Sequence, residues 1–167
     1  MACLCGATTV YHGTHETLRC LRPMPVRNYN SIGAWFTSTP WHAATFYGPN
    51  VYAVDLPPGR YLEAHTDKFN EFFLNWPLAG KTLLQWQVDY LKKHAPGTPA
   101  YDVHAKAIIR QIMLDGEYIA AFRAMIERAG YQGIVWLNSR IDLRKGDPPH
   151  DVYVAFLREP LCHLRLQ

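Results

Sequence analysis

Apolar and polar positions alternate in short runs towards both ends of this chain and recur at helical spacing in its middle. Residues 8–11 are β-branched and aromatic, which predicts a strand. Residues 34–37 predict a second, entered through Gly33. Thr39-Pro40 then opens a short helix: Thr39 offers an N-cap oxygen, and the missing N–H of Pro40 costs nothing in the first turn. Residues 51–56 alternate as a third strand, and Pro57-Pro58-Gly59 terminates it. The middle carries three helical patterns. Leu84, Val88 and Leu91 mark one over 81–94. Ile108, Ile109 and Ile112 mark another over 102–114, after a loop at 96–99. Ile119, Phe122, Ile126 and Ala129 mark the third over 117–129, with Gly130 as its C-terminal stop. Strand character returns at 133–137. The polar run 138–150 predicts a loop, 151–157 a strand, and 161–166 a short final strand.

Strands, then a helical block, then strands predict an α+β fold in one domain, 1–167, with the helical insertion at about 61–129. The chain has 167 residues, 49% of them hydrophobic, which is enough for a core without staples. Its net charge of +3 is too weak to argue for nucleic acid. The tight basic clusters, Lys92-Lys93-His94 and Arg140 with Arg144 and Lys145, read as solvated faces. No apolar run is long enough to span a bilayer, and no basic segment leads into an apolar core at the N-terminus. A cytoplasmic protein is the expectation, in the producing cell or in a target cell. Cys3, Cys5, Cys20 and Cys162 do not form a disulfide framework by spacing, so reduced thiols are expected. With His15 they match no standard zinc module, and no metal site is assigned. No Gly-rich dinucleotide fingerprint follows a strand, which argues against a Rossmann site.

The chemistry concentrates in two stretches. Val10-Tyr11-His12-Gly13-Thr14 puts a histidine at the end of an apolar strand. Gly33-Ala34-Trp35-Phe36-Thr37-Ser38 ends a second strand in aromatics and hydroxyls, and the helix after it carries Tyr47. Such a set suits a flat ring, such as a nicotinamide, and its attached sugar. Asp151 opens the late strand. Asp142 and Asp147 precede it in the polar loop, and Asn138 is a secondary candidate there.

These segments resemble the ADP-ribosyltransferases of the diphtheria-toxin and poly-ADP-ribose-polymerase type. His12-Gly13-Thr14 matches the family's His-Gly-hydroxyl triplet. Gly33-Ala34-Trp35-Phe36 with Tyr47 matches its second motif, with Trp35 in the place of a tyrosine. Asp151-Val152-Tyr153-Val154 matches the third, with aspartate for glutamate, a side chain that reaches roughly 1.5 Å less far. Gly130-Tyr131-Gln132-Gly133-Ile134-Val135 is similar to small phage and bacterial domains of this superfamily. The resemblance covers about 8–56 and 130–158 and implies a split β-sandwich with a central helical insertion.

It also implies an activity: NAD-dependent mono-ADP-ribosyl transfer, with NAD as co-substrate. The nicotinamide is already cationic in NAD, so its departure needs no general acid. The ribose passes through an oxocarbenium-like state that a carboxylate stabilises. By resemblance, His12 holds a ribose hydroxyl, and the backbone of Gly13 pairs with the carboxamide. Trp35 and Tyr47 stack on the ring. Thr14, Phe36, Thr37 and Ser38 complete the cofactor site. His12, Tyr47 and Asp151 are the catalytic set. The implied acceptor is a macromolecule, a protein ahead of a nucleic acid, with a cognate inhibitor protein as a further partner and no membrane partner. A toxin, effector or phage-borne host modifier is the implied role. Two other readings share the residues: a non-catalytic transferase-like binding module, and an NAD glycohydrolase with water as acceptor. Structural alternatives also stand beside each residue. Trp35, Phe36 and Tyr47 suit a core, and Thr37 and Ser38 suit turns and caps. Asp151 suits a solvated strand end, and Glu117 suits a helix dipole. His42 is expected to be exposed, while Trp76, Trp86 and Trp136 are expected to pack.

Overall fold

The computed structural model describes residues 2–4, 8–78, 80–91, 110, 112–139 and 148–167. The fold is α+β. Among the described residues the elements follow one another as β1 (Ala2–Leu4), β2 (Thr8–Thr14), β3 (Ala34–Thr37), α1 (Pro40–Tyr47), β4 (Asn50–Leu56), β5 (Gly59–Glu63), α2 (Asp67–Leu74), β6 (Pro77–Leu78), β7 (Lys81–Thr82), α3 (Leu83–Leu91), α4 (Gly116–Arg128), β8 (Gly133–Ser139), β9 (His150–Ala155) and β10 (Arg165–Leu166). A 3-10 turn at Tyr29–Ser31, capped by Asn28, precedes β3. The loop at 96–99, most of the helix expected over 102–114, Asp142, Asp147 and both basic clusters lie outside the described residues.

Eight strands form one sheet in the order β1-β5-β8-β9-β3-β2-β4-β10. Its pairs are antiparallel except β5 with β8, which is parallel. β2 pairs with β4 along its whole length, from Thr8↔Leu56 to Thr14↔Asn50. With β3 it shares a single register pair, Tyr11↔Thr37. The sheet is therefore two ladders joined at one rung, and His12, Gly13 and Thr14 lie beyond that rung.

Two apolar clusters occupy the two faces. One holds Leu62, Ile134, Trp136, Val152 and Val154 from the sheet with Trp76, Ile119, Phe122 and Ile126. The other joins Val10, Val54 and Leu56 of β2 and β4 to Phe36, Tyr61, Val135 and Tyr153 of the other ladder. The ladders thus curl until their inner faces meet, because side chains alternate along each strand.

Several expectations change. β5 runs into the stretch read as insertion: residues 61–63 are sheet, held parallel to β8 at Tyr61↔Gly133, Leu62↔Ile134 and Glu63↔Val135. β8 extends through Asn138 to Ser139, where the chain had been expected to turn into loop. It does so with a register shift and a left-handed Asn138, φ 51°, a conformation asparagine tolerates better than most residues. The expected reduced thiols are corrected for one pair. Cys20 and Cys162 are disulfide-bonded, 142 residues apart in sequence. The neighbouring bridge Leu21↔Leu161 makes them cross-strand partners, a proximity that sequence spacing does not carry. Among the described residues, no helix is long and apolar enough to cross a membrane.

Candidate functional site

β2, β3 and β9 bring the three sequence segments side by side, with β3 in the middle. Alternation sorts their side chains. His12 follows Val10 on the inner face, and Phe36 and Asp151 share that face with Tyr153. Trp35 and His150 point to the opposite face, with Val152 and Val154.

His12 stands where the ladders part. Its Nδ1 lies 2.9 Å from the carbonyl oxygen of Trp35. A carbonyl only accepts, so Nδ1 carries the proton and, in the neutral ring, Nε2 is left as an acceptor. Burial lowers the pKa of His12 below its usual 6.5, against the raising effect of the Trp35 bond. The ring meets Phe36 edge-on at 5.7 Å between centroids.

Gly13 has a packing reason to lack a side chain. A Cβ there would lie 2.0 Å from the carbonyl oxygen of Ala43 in α1. The glycine lets α1 seat on β2. Thr14 accepts the Glu16 amide at 3.1 Å, a local turn bond.

The aromatic residues separate into groups. Trp35 stacks on Trp136 at 5.7 Å and meets Tyr29 edge-on at 5.4 Å. Its Nε1–H donates to the carbonyl of Asn30 at 2.9 Å. Tyr29 is pushed up to about 12, first by burial and then by the Tyr47 hydroxyl. Tyr47 is 38% exposed. Phe36 and Thr37, expected among the cofactor contacts, are fully buried. Phe36 sits in the inner core, and Thr37 Oγ1 donates to the carbonyl of Thr39 at 2.7 Å. Phe36 packs against the His12 ring, and Thr37 is tied to the turn that opens α1.

Asp151 is held on three sides. The Ser38 N–H donates to the Asp151 carbonyl at 2.9 Å, and the Asp151 N–H donates to Ser38 Oγ at 2.9 Å. Its Oδ1 accepts the amide of Asn138 at 2.8 Å. Ser38 thus acts as a clip on the carboxylate's backbone, and Asn138 meets the carboxylate through its amide.

The chain has no family-model match and no match among curated proteins. Among solved structures, a crystal structure of an anti-CRISPR protein aligns over 100% of both chains, at 15% identity and a TM-score of 0.43. That likeness is too slight to define a shared fold or a function.

Some residues escape a reading of the sequence. Tyr29 lies in a turn and gives no periodic signal, yet it packs on Trp35. His42, expected to be exposed, is 2% exposed. It stacks on His150, the residue before Asp151, at 3.8 Å and 14° between planes. The signal available was its position three residues after the Thr39 cap, which turns it inward. A groove of about 700 Å³ lies at the other end of β9, lined by Tyr61, Tyr131, Gln132 and Arg158 among others. None of the candidate residues borders it.

Proposed function

We propose that this chain is an NAD-dependent mono-ADP-ribosyltransferase built on a split β-sandwich. The observation that carries the reading is the adjacency of β2, β3 and β9. Three motifs far apart in sequence, matched by resemblance, lie on adjacent strands: Tyr11, next to His12, is opposite Thr37, and Thr37 is opposite Val152, next to Asp151. The curling of two ladders joined at one rung is also what a split sandwich requires.

In this reading His12 accepts a ribose hydroxyl at Nε2, the atom its Trp35 bond leaves as an acceptor. Asp151 offers negative charge to the oxocarbenium-like ribose, and its backbone clip limits the reorganisation needed as charge develops. Tyr47 supplies a flat surface for the nicotinamide, and Trp35, turned to the face away from His12, is left as a packing residue against Trp136 and Tyr29. Gly13 offers backbone to the carboxamide. The acceptor is a macromolecule, a protein before a nucleic acid.

Nicotinamide release from NAD, with and without cell lysate, tests the reading in the parent and in Asp151→Ala. Release by the parent alone, with label on a macromolecule, is the expected result. Free ADP-ribose without labelled macromolecule would identify a glycohydrolase. One observation favours a non-catalytic module: Asp151 Oδ1 already serves as the acceptor of the Asn138 amide. NAD binding without cleavage would decide for that module.

A further inference from the structure

His42 and His150 stack at 3.8 Å between centroids, nearly parallel at 14°. They are 2% and 5% exposed. Phe46 flanks the pair, 6.0 Å from each ring, and Trp41 closes on His42 edge-on at 4.7 Å. His42 Nδ1 is hydrogen-bonded with the Thr39 hydroxyl. His42 Nε2 and His150 Nδ1 are both buried without a hydrogen-bond partner among the described residues. Buried polar atoms are nearly always paired, so two orphans in one contact call for an explanation. A shared metal ion does not supply it: lone pairs in parallel planes do not converge on one ion, and no group of three metal-ligating side chains occurs among the described residues.

We propose that this pair is a proton-operated latch that holds the start of β9, and with it Asp151, against α1. His42 belongs to α1 and His150 to β9. The next residue along β9 is Asp151, clipped to Ser38, and His150 itself pairs with Ser139 of β8. Neutral rings stack and close the contact. Protonation of His150 leaves its orphan Nδ1 as a buried N–H with no acceptor and puts a positive charge against the His42 ring, 3.8 Å away.

The surroundings give such a charge little relief. α1, β3 and β8 contain no Asp, Glu, Lys or Arg; of the other strands packed against α1, β2 carries Tyr11 and His12, and β4 carries Tyr52 and Asp55, which is bonded to Thr9 and Arg165. The titratable neighbours that act on His150 are His42, which opposes protonation, and Asp151, which favours it. Burial is the larger influence and lowers His150 below its usual 6.5. The latch therefore closes at neutral pH and opens on acidification.

The effect on turnover rests on the ADP-ribosyltransferase reading; the latch itself does not. NMR of the full chain without NAD tests it, following the His42 and His150 ring signals and the amides of Ser38, Asn138 and Asp151 between pH 8 and 5. Those amides are expected to shift in step with His150 protonation, at a midpoint below 6.5. Their exchange protection, corrected for intrinsic rates, is expected to fall about tenfold across that step. His150→Gln removes the titrating ring, and the amide response should vanish in it. His42→Phe keeps a flat ring and removes the neighbour that opposes His150 protonation, so the response should move to higher pH. Amides that ignore His150 protonation, or a variant that keeps the parent response, would overturn the latch. Absence of NAD cleavage at every pH would overturn the transferase reading without touching these signals.

Discussion

The imidazole of His12 reaches from β2 to the main-chain carbonyl of Trp35 on β3, 2.9 Å away and 23 residues along the chain. The bond crosses the line where the two strands stop pairing. It fixes the tautomer, and it fills a carbonyl that a continued ladder would have used. One side chain thus completes the backbone bonding of a neighbouring strand and presents a defined acceptor.

Asp151→Asn should separate charge from structure. The amide oxygen of Asn can still accept the Asn138 N–H, and the Ser38 clip is main chain on the Asp151 side. We expect the variant to melt within roughly 2 °C of the parent and to lose nicotinamide release by about 100-fold or more, as when a transition-state stabilising group is lost. Full turnover in a folded Asn variant would remove Asp151 from the chemistry.

Gly13→Ala should cost about 3 kcal/mol or more of stability, at the upper end of overpacking effects. Its Cβ would meet Ala43 main chain at 2.0 Å, which cannot move without shifting α1. Gly59→Ala is the control. Its Cβ meets the side chain of Gln132 at 2.1 Å, and a flexible side chain can swing away. Chemical denaturation of both variants decides; equal losses would refute the seating of α1 on Gly13.

Reduction of Cys20–Cys162 should destabilise the fold by about 2–4 kcal/mol, since the bond closes a long loop of the unfolded chain. For a domain of this size that is a fall in Tm of roughly 5–15 °C. Calorimetry with and without reductant, and of Cys20→Ser, measures it. An unchanged Tm in both would show that the Leu21↔Leu161 bridge holds the two segments unaided.

Alkaline pH should act through the buried tyrosines. Burial pushes both Tyr29 and Tyr61 up to about 12. The unfolded chain releases these protons near pH 10 while the folded chain keeps them, so stability is intact below pH 10 and declines as pH rises beyond it. In a spectroscopic titration of the folded protein, Tyr29 and Tyr61 should ionise late, and Tyr153, raised first by burial and then by Asp151, should also ionise later than a free tyrosine. Tyr61→Phe should remove one of them; an unchanged late phase would contradict the assignment.

Much of the framework was legible because its signals are local. Thr39 does cap α1, with its hydroxyl oxygen accepting the His42 amide and Pro40 in the first turn. Gly130 does end α4 with a positive φ of 87°, and Glu117 does sit in that helix's first turn. Strands β2, β3, β4, β8 and β9 fall where alternation put them, to within a few residues. The misses are non-local. β5 owes its existence to β1 and β8, which lie far from it in sequence. The Cys20–Cys162 bond depends on a bridge between two loops. His42 reads as a surface residue on a short helix until β9 supplies His150 to cover it. At the site, strand-end position and the motif resemblance singled out His12 and Asp151 as candidates, yet only the strand order shows that Trp35 turns away from His12 while Phe36 turns towards it.

A sheet whose halves meet at Tyr11↔Thr37 alone has a built-in fault line, and the residue that bridges it is also the one offered for chemistry. Any change at His12 therefore strikes seam and reaction together. Asp151, secured through its own main chain, is the residue at which the two can be prised apart.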